Sequence, residues 1–124
     1  MKKAIATTAA PGAIGPYSQA IDAGSFVFVS GQIPVDPATG NVPDGISAQA
    51  AQSLKNLAAI LDAAGLSTAN VVKTTVFLAD MGDFAAMNAE YAKAFAEPFP
   101  ARSAVAVREL PKGVLVEIEA IAVR

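Results

Sequence analysis

From Val114 to Val123 the chain reads V-L-V-E-I-E-A-I-A-V. In an extended strand, successive side chains point to opposite faces of the sheet. Val114, Val116, Ile118, Ala120 and Ala122 therefore share one face, and Leu115, Glu117, Glu119, Ile121 and Val123 share the other. Both faces are mainly apolar. A strand washed by water on one side needs only one apolar face, so this one belongs in the interior of a sheet covered on both sides. Pro111-Lys112-Gly113 is short enough for a hairpin with a preceding strand at about residues 102–109, but the doubly apolar pattern argues for a central position instead. One face is expected to meet helices. The other is expected to meet a neighbouring subunit, with two carboxylates set into it.

Upstream, Ile46, Ala50, Leu54, Leu57 and Leu61 recur at helical spacing, which predicts a helix over 46–64 capped by Gly65. Val71 to Leu78 reads as a strand with Val72, Thr74, Val76 and Leu78 on one face. A second helix, opened by Asp80 or Asp83 and stopped by Pro98, carries the stripe Phe84, Met87, Tyr91 and Phe95. Residues 1–45 hold short strands and turns. Phe26-Val27-Phe28-Val29 is a β-prone run ended by Ser30-Gly31, and Pro34 to Gly45 contains too many breakers for regular structure. The order is β-β-β-α-β-α-β-β, an α+β fold with both helices on one face of the sheet and a single domain over 1–124.

Composition removes whole classes of chemistry. The chain has no cysteine and no histidine, so thiolate catalysis, disulfides and the commonest metal ligands and general base are excluded. A net charge of −2 argues against nucleic acid and anionic membranes. The hydrophobic fraction of 53% against 16% charged residues exceeds what one small core readily hides, again pointing to a non-monomer. No apolar run reaches signal-peptide length at the N-terminus or the roughly 18 residues of a membrane span, which gives a cytoplasmic expectation.

Against this sparse inventory, Arg102 stands out in Phe99-Pro100-Ala101-Arg102-Ser103-Ala104-Val105. A guanidinium is always charged and grips a carboxylate with two parallel hydrogen bonds, so a small organic acid is the first ligand class to consider. Ala104 and Ala106 share its strand face and leave volume beside it. The plain alternative is a strand-end arginine that snorkels into water or pairs with a nearby acid. Glu117 and Glu119 point to one face. Either they are solvated acids paired with Lys73 or Arg108, or one, desolvated between Leu115 and Ile121, has a raised pKa suited to proton transfer. Ser30-Gly31 is either a turn or a place where a ligand approaches the backbone. Tyr17 is either a pocket-closing ring or an ordinary core or interface tyrosine. Asn88 is either a cap or surface residue, or a polar group placed at the apolar edge of the second helix.

The segments AIGPYSQAI (13–21), FVSGQIPVDPATG (28–40), VVKTTVFLADMGDFAAMNAEY (71–91), FPARSAVAV (99–107) and VEIEAIAV (116–123) closely resemble the reactive intermediate deaminase A family (RidA, YjgF), nearly end to end. The resemblance implies a chorismate-mutase-like fold, a mixed six-stranded sheet with two helices on one face, assembled as homotrimers with clefts between subunits. It implies hydrolysis of 2-imino acids, released as enamines by pyridoxal-phosphate dehydratases, to 2-oxo acids and ammonia, with no cofactor and no metal. By position, Arg102 would clamp the substrate carboxylate, helped by backbone groups near Gly31 and Ala104. Glu117 would activate the attacking water. Tyr17, Ser30 and Asn88 would line the cleft, some of them from the neighbouring subunit. Ala104 stands where many relatives carry cysteine, and the Tyr91–Arg102 connection is shorter than usual, which bears on specificity more than on reaction type. The rival reading is a non-catalytic homotrimer that binds small carboxylates, which needs the arginine but not the glutamate.

Overall fold

In the computed structural model all 124 residues are described. The six strands are β1 (Lys3–Ile5), β2 (Ala20–Asp22), β3 (Phe26–Gln32), β4 (Val71–Leu78), β5 (Ala101–Ala106) and β6 (Val116–Val123), with helices α1 (Ile46–Ala63) and α2 (Phe84–Ala94). They form one mixed sheet in the order β1-β2-β3-β6-β4-β5. As the doubly apolar pattern requires, β6 lies inside the sheet, antiparallel to both β3 and β4. β5 makes no hairpin with β6. It returns through α2 to pair in parallel with β4 at the sheet edge, because a parallel neighbour needs a crossover and α2 supplies it.

Both helices cover the same face. Val116, Ile118, Ala120 and Ala122 of β6 are buried there with Leu57, Ile60 and Leu61 of α1 and Met87 and Tyr91 of α2. Ile118 is fully buried, and truncating it to alanine is expected to cost about 2–5 kcal/mol. Gly65, at φ 76°, closes α1 by donating to the Asp62 carbonyl, while Leu66 donates to that of Leu61. This is the left-handed cap for which glycine is suited. The 34–45 excursion is tied down by buried Asn56, whose amide donates to the carbonyls of Ile33 and Val35.

Three local expectations are corrected. Ser30-Gly31 does not end β3, which runs on to Gln32. Val29 pairs with Ala120 and Gln32 with Ile118, so β3 advances three residues while β6 advances two, a β-bulge. A second bulge shifts the face of Val72: Val71 pairs with Ala122 and Lys73 with Ile121, leaving Val71 buried and Val72 exposed. The second helix stops at Ala94, before Pro98, where Phe95 turns extended and fills the core.

The uncovered face carries Phe28, Ile121, Phe77, Glu117 and Val105 along paired rows. Phe26 and Phe28 are each 46% exposed, with ring centroids 6.2 Å apart. No helix covers this side, and it leaves Phe26, Phe28 and Val105 exposed as an apolar patch.

Candidate functional site

Arg102 enters β5 on the helix side of the sheet. Its guanidinium carbon lies 4.7 Å from the Tyr91 ring centroid and 5.4 Å from that of Phe84, and Nη1 donates to Oδ1 of Asn88 at 2.7 Å. Phe84, Asn88 and Tyr91 are spaced i, i+4, i+7, so α2 presents them on one face. The aromatic faces stabilise the cation without neutralising it. No acid pairs with Arg102. The chain's two ion pairs are Lys93–Glu90 and Arg124–Asp22. The guanidinium opens onto a depression of about 370 Å³ lined by Asn88, Tyr91, Ala92, Phe99 and Pro100. It retains donors for a carboxylate.

Glu117 occupies a different setting. It is half-buried on the uncovered face, paired across the ladder with Phe77, and makes no hydrogen bond or ion pair. Burial pushes its carboxyl above the ordinary value of 4.5, and the charge of Glu119 two residues on pushes it further the same way. Neither of the expected alternative partners pairs with it: Lys73 donates to Ser103 at 3.0 Å, and Arg108 makes no ion pair. Gly31 lies directly against the carboxylate. A methyl group at that position would overlap Oε2 of Glu117 and stand 2.9 Å from its carboxyl carbon. The glycine is needed for this close approach rather than for a turn.

Ser30 and Tyr17 are joined through the same bulge. The Ser30 hydroxyl donates to the Ser18 carbonyl at 2.6 Å, and its backbone N–H donates to that of Gln19. These bonds pin the Tyr17 loop beside Gly31. Tyr17 is 53% exposed and lines, with Gly31, Gln32 and Lys112, a depression of about 520 Å³. Ala104, on the face of Arg102, packs against the core edge.

The candidate residues thus fall into two groups on opposite faces of the sheet. Thr74 of β4 is the register partner of Arg102, and Phe77 is that of Glu117. Residues three apart on a strand point to opposite faces, so Arg102 with Asn88 and Ala104 lies on one face and Glu117 on the other. Sequence reasoning listed these residues together but missed Phe84 and Tyr91 as supports for the guanidinium. Their spacing with Asn88 was the available signal. No cluster of three or more acidic, histidine or cysteine side chains could hold a metal ion.

Residues 7–124 match the family model described as endoribonuclease L-PSP. The whole chain is 60% identical to the 2-iminobutanoate/2-iminopropanoate deaminase of Salmonella typhimurium, covering 99% of that protein. The corresponding deaminase of Escherichia coli is 58% identical over all of this chain and 99% of its own. Among solved structures, the E. coli YjgF gene product matches with a TM-score of 0.94 at 56% identity, and E. coli TdcF with bound serine with 0.95 at 54%. Each match covers 98% of both chains.

Proposed function

The chain belongs to the endoribonuclease L-PSP family, and from its end-to-end likeness to imine deaminases we propose that it hydrolyses 2-imino acids to 2-oxo acids and ammonia. Arg102 takes the substrate carboxylate in its fork, held in place by Tyr91, Phe84 and Asn88. Glu117 of an adjacent subunit takes a proton from water as the oxygen attacks C2 of the imine. From the protonated imine this gives a neutral carbinolamine, which takes that proton back from Glu117 on its nitrogen. The C–N bond then breaks as the hydroxyl proton passes to Glu117, leaving the carbonyl and free ammonia. An imine, particularly when protonated, is already electrophilic, so orientation and one general base supply the chemistry.

A single observation carries this reading: an acid-free guanidinium and a desolvated carboxylate lie on opposite faces of one sheet. A substrate of a few atoms reaches both only when a second copy supplies the other half-site. The exposed apolar face supports such an assembly, and we take it to be the homotrimer implied by the family resemblance. Serine bound to TdcF is a ligand with the same carboxylate and C2 nitrogen arrangement. The finer reading is a cytoplasmic scavenger of enamine and imine products of pyridoxal-phosphate dehydratases. The family description names an endoribonuclease, but a chain of net charge −2 without histidine offers neither a basic track nor the usual acid–base pair for RNA cleavage.

The test is 2-oxo acid release from imines generated in situ by an L-amino-acid oxidase, with semicarbazide trapping what remains. The wild type should suppress trapping, and folded Arg102→Ala and Glu117→Ala should not. A wild type inert toward small and large imines would overturn the reading. A Glu117→Ala variant as active as wild type would remove the general base. Binding of 2-oxobutanoate without turnover would favour the carboxylate-binding protein.

A further inference from the structure

The Thr74 and Tyr91 hydroxyls meet at 2.6 Å beneath the arginine. Thr74 is fully buried and Tyr91 is 4% exposed. Burial pushes the Tyr91 hydroxyl upward in pKa, so it stays protonated and available as a hydrogen-bond partner at neutral pH. Only two side-chain hydrogen bonds join α2 to the sheet: Thr74–Tyr91 and Arg102–Asn88. The rest of that contact is apolar and has no direction. Thr74 is also the residue opposite Arg102 in the β4–β5 register. A closed loop results, running from Arg102 across the ladder to Thr74, through the hydroxyl pair to Tyr91, and from the Tyr91 ring back to the guanidinium.

We propose that Thr74 and Tyr91 are positioning residues for the carboxylate clamp, their buried hydroxyl pair fixing the ring on which the Arg102 guanidinium rests. Tyr91 offers its ring to the guanidinium at the wall of the depression, and Thr74 is fully buried beneath it. They act by setting the height and rotation of α2, and with it Phe84 and Asn88, over the end of β5. Losing one hydroxyl leaves the other buried without a partner and releases the only directional restraint on the ring. The proposal deepens the assignment above and rests on Arg102 as the carboxylate clamp.

The experiment is calorimetric titration of 2-oxobutanoate into the full-length assembly of wild type, Arg102→Ala, Tyr91→Phe, Thr74→Val and Thr74→Ser. Melting temperature, KM and kcat are measured on the same preparations. Arg102→Ala should lose binding. Tyr91→Phe and Thr74→Val should weaken Kd and raise KM by about 3- to 10-fold, the worth of one positioned hydrogen bond, with kcat within about twofold. Thr74→Ser, which restores a hydroxyl, should return both constants to within about twofold of wild type. Tyr91→Phe keeps the ring and its volume, so it decides the matter even if Thr74→Val folds poorly. A lowered melting temperature with unchanged Kd and KM would overturn the positioning role while leaving the clamp intact. Wild-type binding by Arg102→Ala would overturn the clamp and the positioning role with it.

Discussion

Arg102 and Glu117 lie on opposite faces of the same sheet, one under α2 and the other on the face no helix covers. The relationship follows from register. Arg102 is opposite Thr74 and Glu117 is opposite Phe77 along one strand. An odd separation along β4 divides the two groups between the faces.

Two inactive variants should therefore complement each other. Arg102→Ala and Glu117→Ala, unfolded together and refolded at equal amounts, form some interfaces where an intact arginine from one chain faces an intact glutamate from the other. Random mixing makes about a quarter of the sites wild type. Activity should return to roughly that fraction, read as 2-oxo acid release against separately refolded controls. No recovery in demonstrably mixed assemblies would mean that each site draws on one chain.

Gly31→Ala should inactivate without unfolding. The added methyl has no room beside Glu117, so the carboxylate must move. Displacing a catalytic group by about 1 Å costs on the order of 100-fold in rate. Steady-state kinetics alongside circular dichroism would check this, and wild-type kcat would show that the contact has no catalytic consequence.

The acid limb of kcat/KM should report Glu117 and lie above 4.5, since burial and Glu119 both raise its pKa. Glu119→Gln removes the second cause and should move that limb to lower pH. A limb unmoved by this change would assign the titration to another group.

The same shift has a stability consequence. A carboxyl with a folded pKa above its unfolded value contributes stability that is fully present below the unfolded value and lost as pH rises through the folded one. Glu117→Gln should therefore raise the melting temperature at pH 7 relative to wild type, with the gain fading toward pH 4. Thermal melts across that range decide it, and destabilisation at pH 7 would contradict the desolvated environment.

Arg102→Lys should behave more like Arg102→Ala than like wild type. An ammonium offers no planar fork and stacks poorly on Tyr91 and Phe84. A loss of about 100-fold in kcat/KM is expected, of the order of one bidentate charged contact. A lysine variant within a few-fold of wild type would show that charge alone suffices.

The order of the elements, the central place of β6 and the short inventory of reactive groups are legible in residue order alone. These properties are local. Side-chain alternation in β6 and the helical stripes of α1 and α2 state which faces must be buried, and a chain without cysteine or histidine leaves few reactive groups to choose from. Tertiary structure alone decided how those groups are divided. The bulges at Ser30-Gly31 and Val72 reset side-chain direction by one residue, and no propensity marks where a ladder will slip. The parallel return of β5 placed Arg102 opposite Thr74, and the packing of α2 set Tyr91 beneath it. Such pairings join residues far apart in the chain, and the free energy that selects them comes from the packed whole rather than from any segment.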